Sequence, residues 1–322
     1  MKHVVVIGGG TGTFTVLSAL KKYPLHLSAV VSMADDGGST GILRDELGVL
    51  PPGDIRQCLV ALSKSDRYMR KLMNYRFSNG GLKGHSFGNL FLSALEKTTG
   101  SFDKAVEKAS EVLRLEGEVI PATLDKVQLV AYLKNGKAIR GQSKIHNSNL
   151  RELRKMALKP QARANPKAVA AIREANLVVI APGDVYSSLI PNLLVSSISR
   201  AIARTKAKKV YVCNLMTKEG HTDGYTVADF VSLIERNVKS KLDYVIVNKE
   251  KPSAQILKLY AREGEHTVKN GRFRNGKYIL ENLINKKFPK PQKGDSVKRT
   301  LIRHDPEKLG QIIAGILGKT GE

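Results

Sequence analysis

The sequence predicts an α/β protein: a Rossmann-like three-layer fold with a central, mainly parallel sheet, a helical block and a small β insertion. Short apolar runs recur as strand candidates at 3–8, 26–33, 177–181, 209–213 and 243–247. Amphipathic segments separate these runs, and strands that alternate with helices are typical of a parallel sheet covered on both faces.

We expect one domain over 1–322, with the helical block at 54–115 as a part of it. Apolar residues in that block recur with the period of a helix. Asp54 is placed to cap its first helix, and Ser101 or Asp103 to cap its last.

Residues 117–145 have a different pattern, because "VIPAT", "VQLVAYL" and "AIRG" read as short strands. Asn135-Gly136 between the last two is a strong hairpin dipeptide. This stretch is therefore predicted to be the small β insertion.

The composition limits the classes of protein that fit. With 322 residues and 42% hydrophobic content, the chain can bury a large core. Its apolar runs are too short to cross a bilayer, and the N-terminus begins a strand where a signal peptide would lie, so we expect a cytoplasmic protein with no membrane partner. Cys58 and Cys213 lie in apolar patterns, which argues against a disulfide framework or a metal cluster.

A formal charge of +24 favours anionic partners. The basic segment 269–308 contains no nucleic-acid-binding motif and few aromatic residues for base stacking. Nucleic acid is therefore not the favoured partner, and a solvated basic face is the simpler interpretation.

The stretch "GGGTGT" after the first strand is a candidate anion-binding loop. Gly8, Gly10 and Gly12 lie between a strand and a helix, where backbone N–H groups and the helix dipole converge. A dinucleotide fingerprint needs glycine three residues after Gly10, but Thr13 stands there. NAD is thus disfavoured and phosphate binding is retained, with a simple tight turn as the alternative.

A second polar loop follows the second strand, where Asp35 and Asp36 precede Gly37, Gly38 and Ser39. Adjacent carboxylates repel each other unless a cation, hydroxyls or backbone donors compensate. Asp35 and Asp36 are therefore candidate Mg²⁺ ligands for a diphosphate or contacts to a hydroxyl-rich ligand, although a surface turn would use the same residue types. We expect no obligatory cofactor.

Two arginines downstream can clamp a diphosphate. Arg44 and Arg56 both carry the planar guanidinium that binds phosphate in a bidentate manner. Ion pairs with Asp45, Glu46 or Asp54 are an equally good explanation.

Several long motifs in fixed order carry a family resemblance: "GGGTGT", "ADDGGSTGILRDELGVLPPGDIRQCLVAL", "GHSFGNLFLSAL", "IPNLLV" and "VCNLMTKEGHTDGYT". They resemble the YvcK family of gluconeogenesis factors, within the grouping that includes the phospholactate transferase CofD. The resemblance implies a Rossmann-like fold, binding of UDP-sugars such as UDP-N-acetylglucosamine, and a role in cell-shape or cell-wall homeostasis on gluconeogenic carbon sources.

Other motif residues suit that ligand. In "GHSFGN", His85 can contact phosphate or act as an acid, or can be a structural histidine, and Asn89 follows it. In "IAPGDVYSS", Gly183 and Asp184 follow a strand, but an acid in place of a family hydroxyl would repel phosphate, so Asp184 is expected to accept from sugar or base.

The next strand is followed by Asn214, Thr217 and Asp223, again at the edge where parallel sheets bind ligands. The resemblance further implies roles for Tyr260, as an aromatic face for uracil, and Arg303, as a guanidinium for diphosphate; a core tyrosine and a surface arginine are the alternatives.

We therefore predict a nucleotide-sugar-binding regulatory protein, with a phosphotransferase resembling phospholactate transferase as the alternative. Expected partners are the UDP-sugar and cell-wall or morphogenesis proteins, and a homodimer is an open alternative. The predicted nucleotide-sugar site comprises Gly8, Gly10, Thr11, Gly12, Thr13, Asp35, Asp36, Gly37, Gly38, Ser39, Arg44, Arg56, His85, Asn89, Gly183, Asp184, Asn214, Thr217, Asp223, Tyr260 and Arg303.

Overall fold

A seven-stranded parallel sheet forms the centre of the part of the chain that the computed structural model describes, residues 1–271, 273, 276–286 and 301–319. Its order is β10-β9-β8-β7-β1-β2-β3. The strands are β1 (Lys2–Gly8), β2 (Leu25–Val31), β3 (Glu118–Pro121), β7 (Leu177–Ile180), β8 (Lys208–Val212), β9 (Tyr244–Asn248) and β10 (Tyr278–Glu281). The predicted α/β class with a parallel central sheet is confirmed.

Helices cover both faces of this sheet. They are α1 (Gly10–Leu20), α2 (Gly38–Leu47), α3 (Gly53–Leu62), α4 (Arg67–Asn74), α5 (Phe87–Thr99), α6 (Phe102–Leu113), α7 (Gln142–His146), α8 (Pro166–Glu174), α9 (Ile190–Leu193), α10 (Ser196–Arg204), α11 (Val227–Val238), α12 (Ala254–Ala261) and α13 (Pro306–Lys319), and a π-helical turn, Val185–Leu189, precedes α9. Within the described ranges, no helix has the length and apolar character that a membrane span requires.

Alternate residues of β1 explain why this strand lies at the centre. Val5 and Ile7 pack into a core shared with α8, α10 and α11. Val4 and Val6 pack into a second core on the other face, with α1, α3 and α13. An uninterrupted apolar run is what a strand buried on both faces requires.

The order of the strands reverses next to β1. The chain runs from β1 outward through β2 to β3, and later from β7 outward on the other side. The connections after β1 and β7 therefore diverge, which leaves a crevice at their carboxyl ends.

The second, three-stranded antiparallel sheet corrects the boundaries expected for the β insertion. It consists of β4 (Gln128–Leu133), β5 (Ala138–Arg140) and β6 (Leu153–Lys159), in the order β5-β4-β6. The stretch "VIP" belongs instead to β3, which pairs with β2 in the central sheet. The apolar residues of a short strand indicate that the strand is buried, but they do not indicate which strand it pairs with.

Four helices, α3 to α6, occupy the predicted helical block. Asp54 lies inside α3 rather than at its N-cap, which is Pro52. Ser101 does take the N-cap position of α6, and Asp103 lies in its first turn. Asp54 thus lies in the first turn of α3, beside the candidate site.

Candidate functional site

The glycine loop after β1 lies at the crevice between β1 and β7, and close packing explains its composition. Gly9 precedes α1, and Gly10 has a φ of +65°, a left-handed conformation that favours glycine. A Cβ on Gly12 would overlap the carbonyl oxygen of Pro182 in the loop after β7. The loop thus brings the start of α1 against the neighbouring strand connection.

The two threonines of this loop have different surroundings. Thr13 is fully buried, and its hydroxyl donates to the Gly9 carbonyl at 3.2 Å. Thr11 is exposed at the start of α1. Thr13 therefore takes the place of the third fingerprint glycine without offering its hydroxyl donor to a ligand.

An unexpected carboxylate lies at the glycine loop. Asp54 accepts a hydrogen bond from the Gly10 N–H, and a Cβ on Gly9 would collide with it. Burial, followed by repulsion from Asp35, raises the pKa of Asp54 to about 7, although the Gly10 N–H and the nearby Arg56 act in the opposite direction. Asp54 thus occupies the position where a helix N-terminus attracts an anion.

Asp35 is the partner of Asp54 in this half-buried acidic pair. Its Oδ1 accepts from the Gly37 N–H at 3.0 Å, and Thr40 donates a further hydrogen bond. Its Oδ2 lies 2.8 Å from the position that a Cβ on Gly53 would take, directly before Asp54. Burial raises the pKa of Asp35 despite these donors.

Asp36 has a separate structural contact. Its two carboxylate oxygens accept from the backbone N–H groups of Ser143, at 2.7 Å, and Gln142, at 3.1 Å. It thereby holds the start of α7, and Arg44 lies 3.7 Å from it. The carboxylate at the glycine loop is therefore Asp54, and the acid whose charge acts on it is Asp35 rather than Asp36.

A buried polar network connects four more predicted residues. Asn89 donates to the Ser39 hydroxyl at 3.2 Å, and that hydroxyl lies 3.1 Å from His85 Nδ1. Arg56 Nε donates to Asn89 Oδ1 at 3.0 Å, and its Nη1 donates to Asn74 Oδ1 at 2.5 Å. Burial lowers the pKa of Arg56 to about 10. This arginine ties α3, α4 and α5 together behind Ser39.

The loop after β7 contains a compact ionic cluster. Asp184 accepts from the Ser187 N–H at 3.1 Å, from Lys218 Nζ at 2.6 Å and from His146 Nδ1 at 3.0 Å. Burial alone would raise the pKa of Asp184, but His146 and Lys218 hold it far below its usual value. Burial lowers the pKa of the adjacent His221 to about 4, so that imidazole is neutral at pH 7. The Lys218 ammonium, together with the hydrogen-bond donors around Asp184, explains how an acid is accommodated here.

Asn214 and Thr217 fasten neighbouring loops together. Asn214 Nδ2 donates to the Gly183 carbonyl at 2.7 Å, while its Oδ1 accepts from the buried Tyr211 hydroxyl at 2.9 Å. Thr217 Oγ1 donates to the His266 carbonyl at 3.2 Å. The ends of β7 and β8 are therefore cross-linked by side chains.

The remaining predicted residues lie further from the crevice or deeper in the protein. Asp223 forms an exposed bidentate pair with Arg151, at 3.2 and 2.9 Å. Tyr260 is 2% exposed, and its hydroxyl accepts from the Ile302 N–H at 3.2 Å. The tyrosine ring is thus part of the core and positions the segment that carries Arg303.

Arg303 is half-buried, and its neighbour His304 locates it relative to the sheet. His304 Nε2 lies 3.1 Å from the Cys213 carbonyl, at the end of β8. Three strand spacings separate β8 from β2, which precedes Asp35, or roughly 14 Å at about 4.8 Å each. Arg303 and the acidic pair thus border the same edge of the sheet.

Sequence reasoning missed Asp54, Lys218 and His146 as site residues. Lys218 stands inside the quoted motif "TKEGHTDGYT", but a lysine in a loop does not indicate its partner. His146 comes from α7, outside every motif. The signal that could have identified Asp54 as a site residue is the run of two prolines and a glycine directly before it in the sequence.

The fold and this edge define a class of protein: a doubly wound α/β protein with a glycine loop at the switch of strand order and a half-buried carboxylate pair beside it. A family model described as 2-phospho-L-lactate transferase CofD matches residues 4–284. The chain belongs to the CofD family and, within it, to the YvcK-like gluconeogenesis factors, as its motifs predicted.

Individual relatives agree over nearly the full chain. A protein of Nostoc sp. is 44% identical over 317 residues, which covers 96% of this chain and 67% of the Nostoc protein. The Bacillus subtilis protein named "Gluconeogenesis factor" is 36% identical over 320 residues, covering 98% of both chains. A crystal structure of a UPF0052 family member from Bacillus halodurans superposes with a TM-score of 0.87 at 35% identity, covering 97% of this chain and 99% of the other.

Proposed function

We propose that this protein binds a nucleotide sugar of the UDP-N-acetylglucosamine type along the carboxyl edge of the sheet, from β8 to β2. The observation that supports this most is the buried pair Asp35 and Asp54 at the glycine loop, with Arg303 across the same edge. A diphosphate in this place would pair with the guanidinium directly and with the two carboxylates through a bridging cation.

The acidic pair also supports a role for Mg²⁺. Burial raises the pKa of both carboxylates, and the charge of Asp35 raises that of Asp54 further, so protonation is favoured where no cation compensates them. Mg²⁺ is usually bound by one or two carboxylates together with substrate phosphates. Asp35 and Asp54 would hold the ion, and the ion would neutralise them as the diphosphate enters.

We infer a regulatory role for this binding, in cytoplasmic control of cell shape and cell-wall homeostasis on gluconeogenic carbon sources. The relatives named as gluconeogenesis factors support the metabolic setting. Cell-wall or morphogenesis proteins would read out the ligand state, and a homodimer is compatible with this role.

Calorimetry with UDP-N-acetylglucosamine, other UDP-sugars, GDP and NAD tests the ligand class, with and without Mg²⁺. Arg303→Ala should weaken UDP-sugar binding by about 1.5–3 kcal/mol if the guanidinium contacts the diphosphate. Arg262→Ala, an exposed arginine at the end of α12, is the matched control and should bind as the parent does. Equal affinity of the parent and Arg303→Ala would refute this assignment.

The match to a transferase family model favours one alternative, phosphoryl-group transfer from the bound nucleotide. Chromatography of the ligand after incubation with Mg²⁺ and hydroxyl acceptors separates the two functions. Intact UDP-sugar supports the regulator. Release of UMP together with transfer of the sugar phosphate to the acceptor hydroxyl, both lost in Asp54→Asn, establishes the transferase.

A further inference from the structure

The helical block presents a protruding apolar surface that the predicted site does not use. Tyr68 is 80% exposed, Leu72 41%, Tyr75 51% and Leu82 45%. We call these four residues the Tyr68 surface. Large apolar groups that lie together in the open generally mark an interaction site.

The helix α4 sends apolar side chains in two directions. Met73 is buried and Met69 is partly buried, and both pack towards the protein. Tyr68, Leu72 and the C-cap residue Tyr75 are spaced four and three residues apart, so they share the opposite face. Folding of the block therefore accounts for the methionines but not for this outer face.

A short hairpin extends the surface beyond α4. The Phe77 N–H donates to the His85 carbonyl at 3.0 Å, and the Gly84 N–H donates to the Phe77 carbonyl at 2.9 Å. The rings of Tyr75 and Phe77 meet edge to face, with centroids 5.1 Å apart. Leu82 lies in the loop of this hairpin and is also exposed.

The segment that carries the Tyr68 surface is rich in basic residues. The only acid between residues 66 and 85 is Asp66, which caps α4 by accepting from the Met69 N–H at 2.8 Å. Lys71 Nζ lies 5.8 Å from the centre of the Tyr68 ring. The basic residues of this stretch are Arg67, Arg70, Lys71, Arg76 and Lys83.

We propose that the Tyr68 surface binds the face of an anionic lipid bilayer as a peripheral contact. Tyrosine and leucine enter the interfacial region of a bilayer, and each neighbouring lysine or arginine adds attraction to anionic headgroups. The sequence argued against a membrane partner because no spanning segment is present, and a peripheral contact needs none.

The chemistry of the surface favours this occupant over two others. Bases of single-stranded nucleic acid stack on tyrosine, but Leu72 and Leu82 would add nothing to such binding. A second copy of the chain would bring like-charged surfaces together if the same face were shared. A bilayer uses the leucines, the tyrosines and the positive charges at once.

Vesicle co-sedimentation of the full chain tests the proposal. Vesicles of phosphatidylcholine alone are compared with vesicles of equal parts phosphatidylcholine and phosphatidylglycerol. The double variant Tyr68→Ser, Leu72→Ser should lose about tenfold or more in affinity for the anionic vesicles, because its apolar anchors are gone while its charge is unchanged. Val112→Ser, at a 50% exposed position on α6, is the matched control and should bind as the parent does.

A fluorescent reporter separates insertion from general charge attraction, because the chain contains no tryptophan. Leu82→Trp should shift its emission to the blue on anionic vesicles, whereas Leu124→Trp, at a 40% exposed position outside the surface, should not. Equal binding of the double variant and the parent, equal shifts of both reporters, or absence of vesicle binding would overturn the proposal. If the parent does not bind vesicles, two other results would reassign the surface. Loss of dimer mass in the double variant would assign it to a second copy of the chain, and loss of oligonucleotide binding would assign it to nucleic acid.

Discussion

Replacing Asp54 by Asn should stabilise the ligand-free protein at alkaline pH. Burial and Asp35 raise the pKa of Asp54 from 3.8 to about 7, so the folded protein holds this proton more tightly than the unfolded chain does. This rise in pKa corresponds to roughly 4 kcal/mol in the free energy of unfolding, and partial exposure of the side chain reduces the expected effect to about 2–4 kcal/mol. Asn keeps an acceptor for the Gly10 N–H and carries no charge.

The sign of the pH dependence follows from the direction of the shift. In the parent, the raised pKa of Asp54 contributes to the free energy of unfolding at low pH. This contribution is fully present below pH 3.8 and is lost as the pH rises through about 7. Asp54→Asn does not titrate at this position. The two proteins should therefore be closely similar in stability at acidic pH and differ most near pH 8.

Urea denaturation at a series of pH values, with a chelator present, measures this difference. Asp45→Asn is the control, because its carboxylate is 67% exposed on α2 and should show no comparable pH-dependent gain. Adding Mg²⁺ should narrow the gap at high pH, since the ion stabilises only the parent. A gain that is the same at acidic and alkaline pH, or a loss at alkaline pH, would refute the reasoning.

Three further substitutions test other parts of the site. Arg56→Met should destabilise the fold by about 3 kcal/mol in urea denaturation, because it leaves buried acceptors unpaired, and full stability would contradict the network. Lys218→Met should cost about 3–5 kcal/mol in urea denaturation near neutral pH, because Asp184 loses its lysine counter-charge, and combining it with Asp184→Asn should recover much of the loss. Gly12→Ala should lower the melting temperature and weaken UDP-sugar binding, since the new methyl group collides with Pro182; unchanged melting would show that the loop can move aside.

The central strands and the glycine loop could be predicted because their signals are local. The run "HVVVIG" is apolar at every position that a strand buried on both faces requires, and both cores use it. Gly12 could be recognised as part of a strand-to-helix turn, although its close neighbour Pro182 could not. The motifs identified the family, because several of them occur in a fixed order.

The partners of the polar residues depended on the tertiary structure. Asp36 stands beside Asp35 in the sequence, yet its carboxylate binds backbone N–H groups 106 and 107 positions away in α7. The sequence predicted Asp54 as a helix cap, but α3 begins at Gly53, one residue before Asp54. The Asp54 carboxylate accepts instead from the Gly10 N–H. Neighbours in sequence therefore did not form the acidic pair.

The sequence by itself determined the class of fold, the central strands and the family of this protein. Periodicity and turn chemistry act over a few residues, so they can be read without knowing what packs against them. Only the tertiary structure decided that Asp35 lies near Asp54, that Lys218 and His146 contact Asp184, and that the segment carrying Arg303 lies at the end of β8. Burial and charge pairing act between atoms that the chain brings together from distant positions, and these contacts set the pKa of each group.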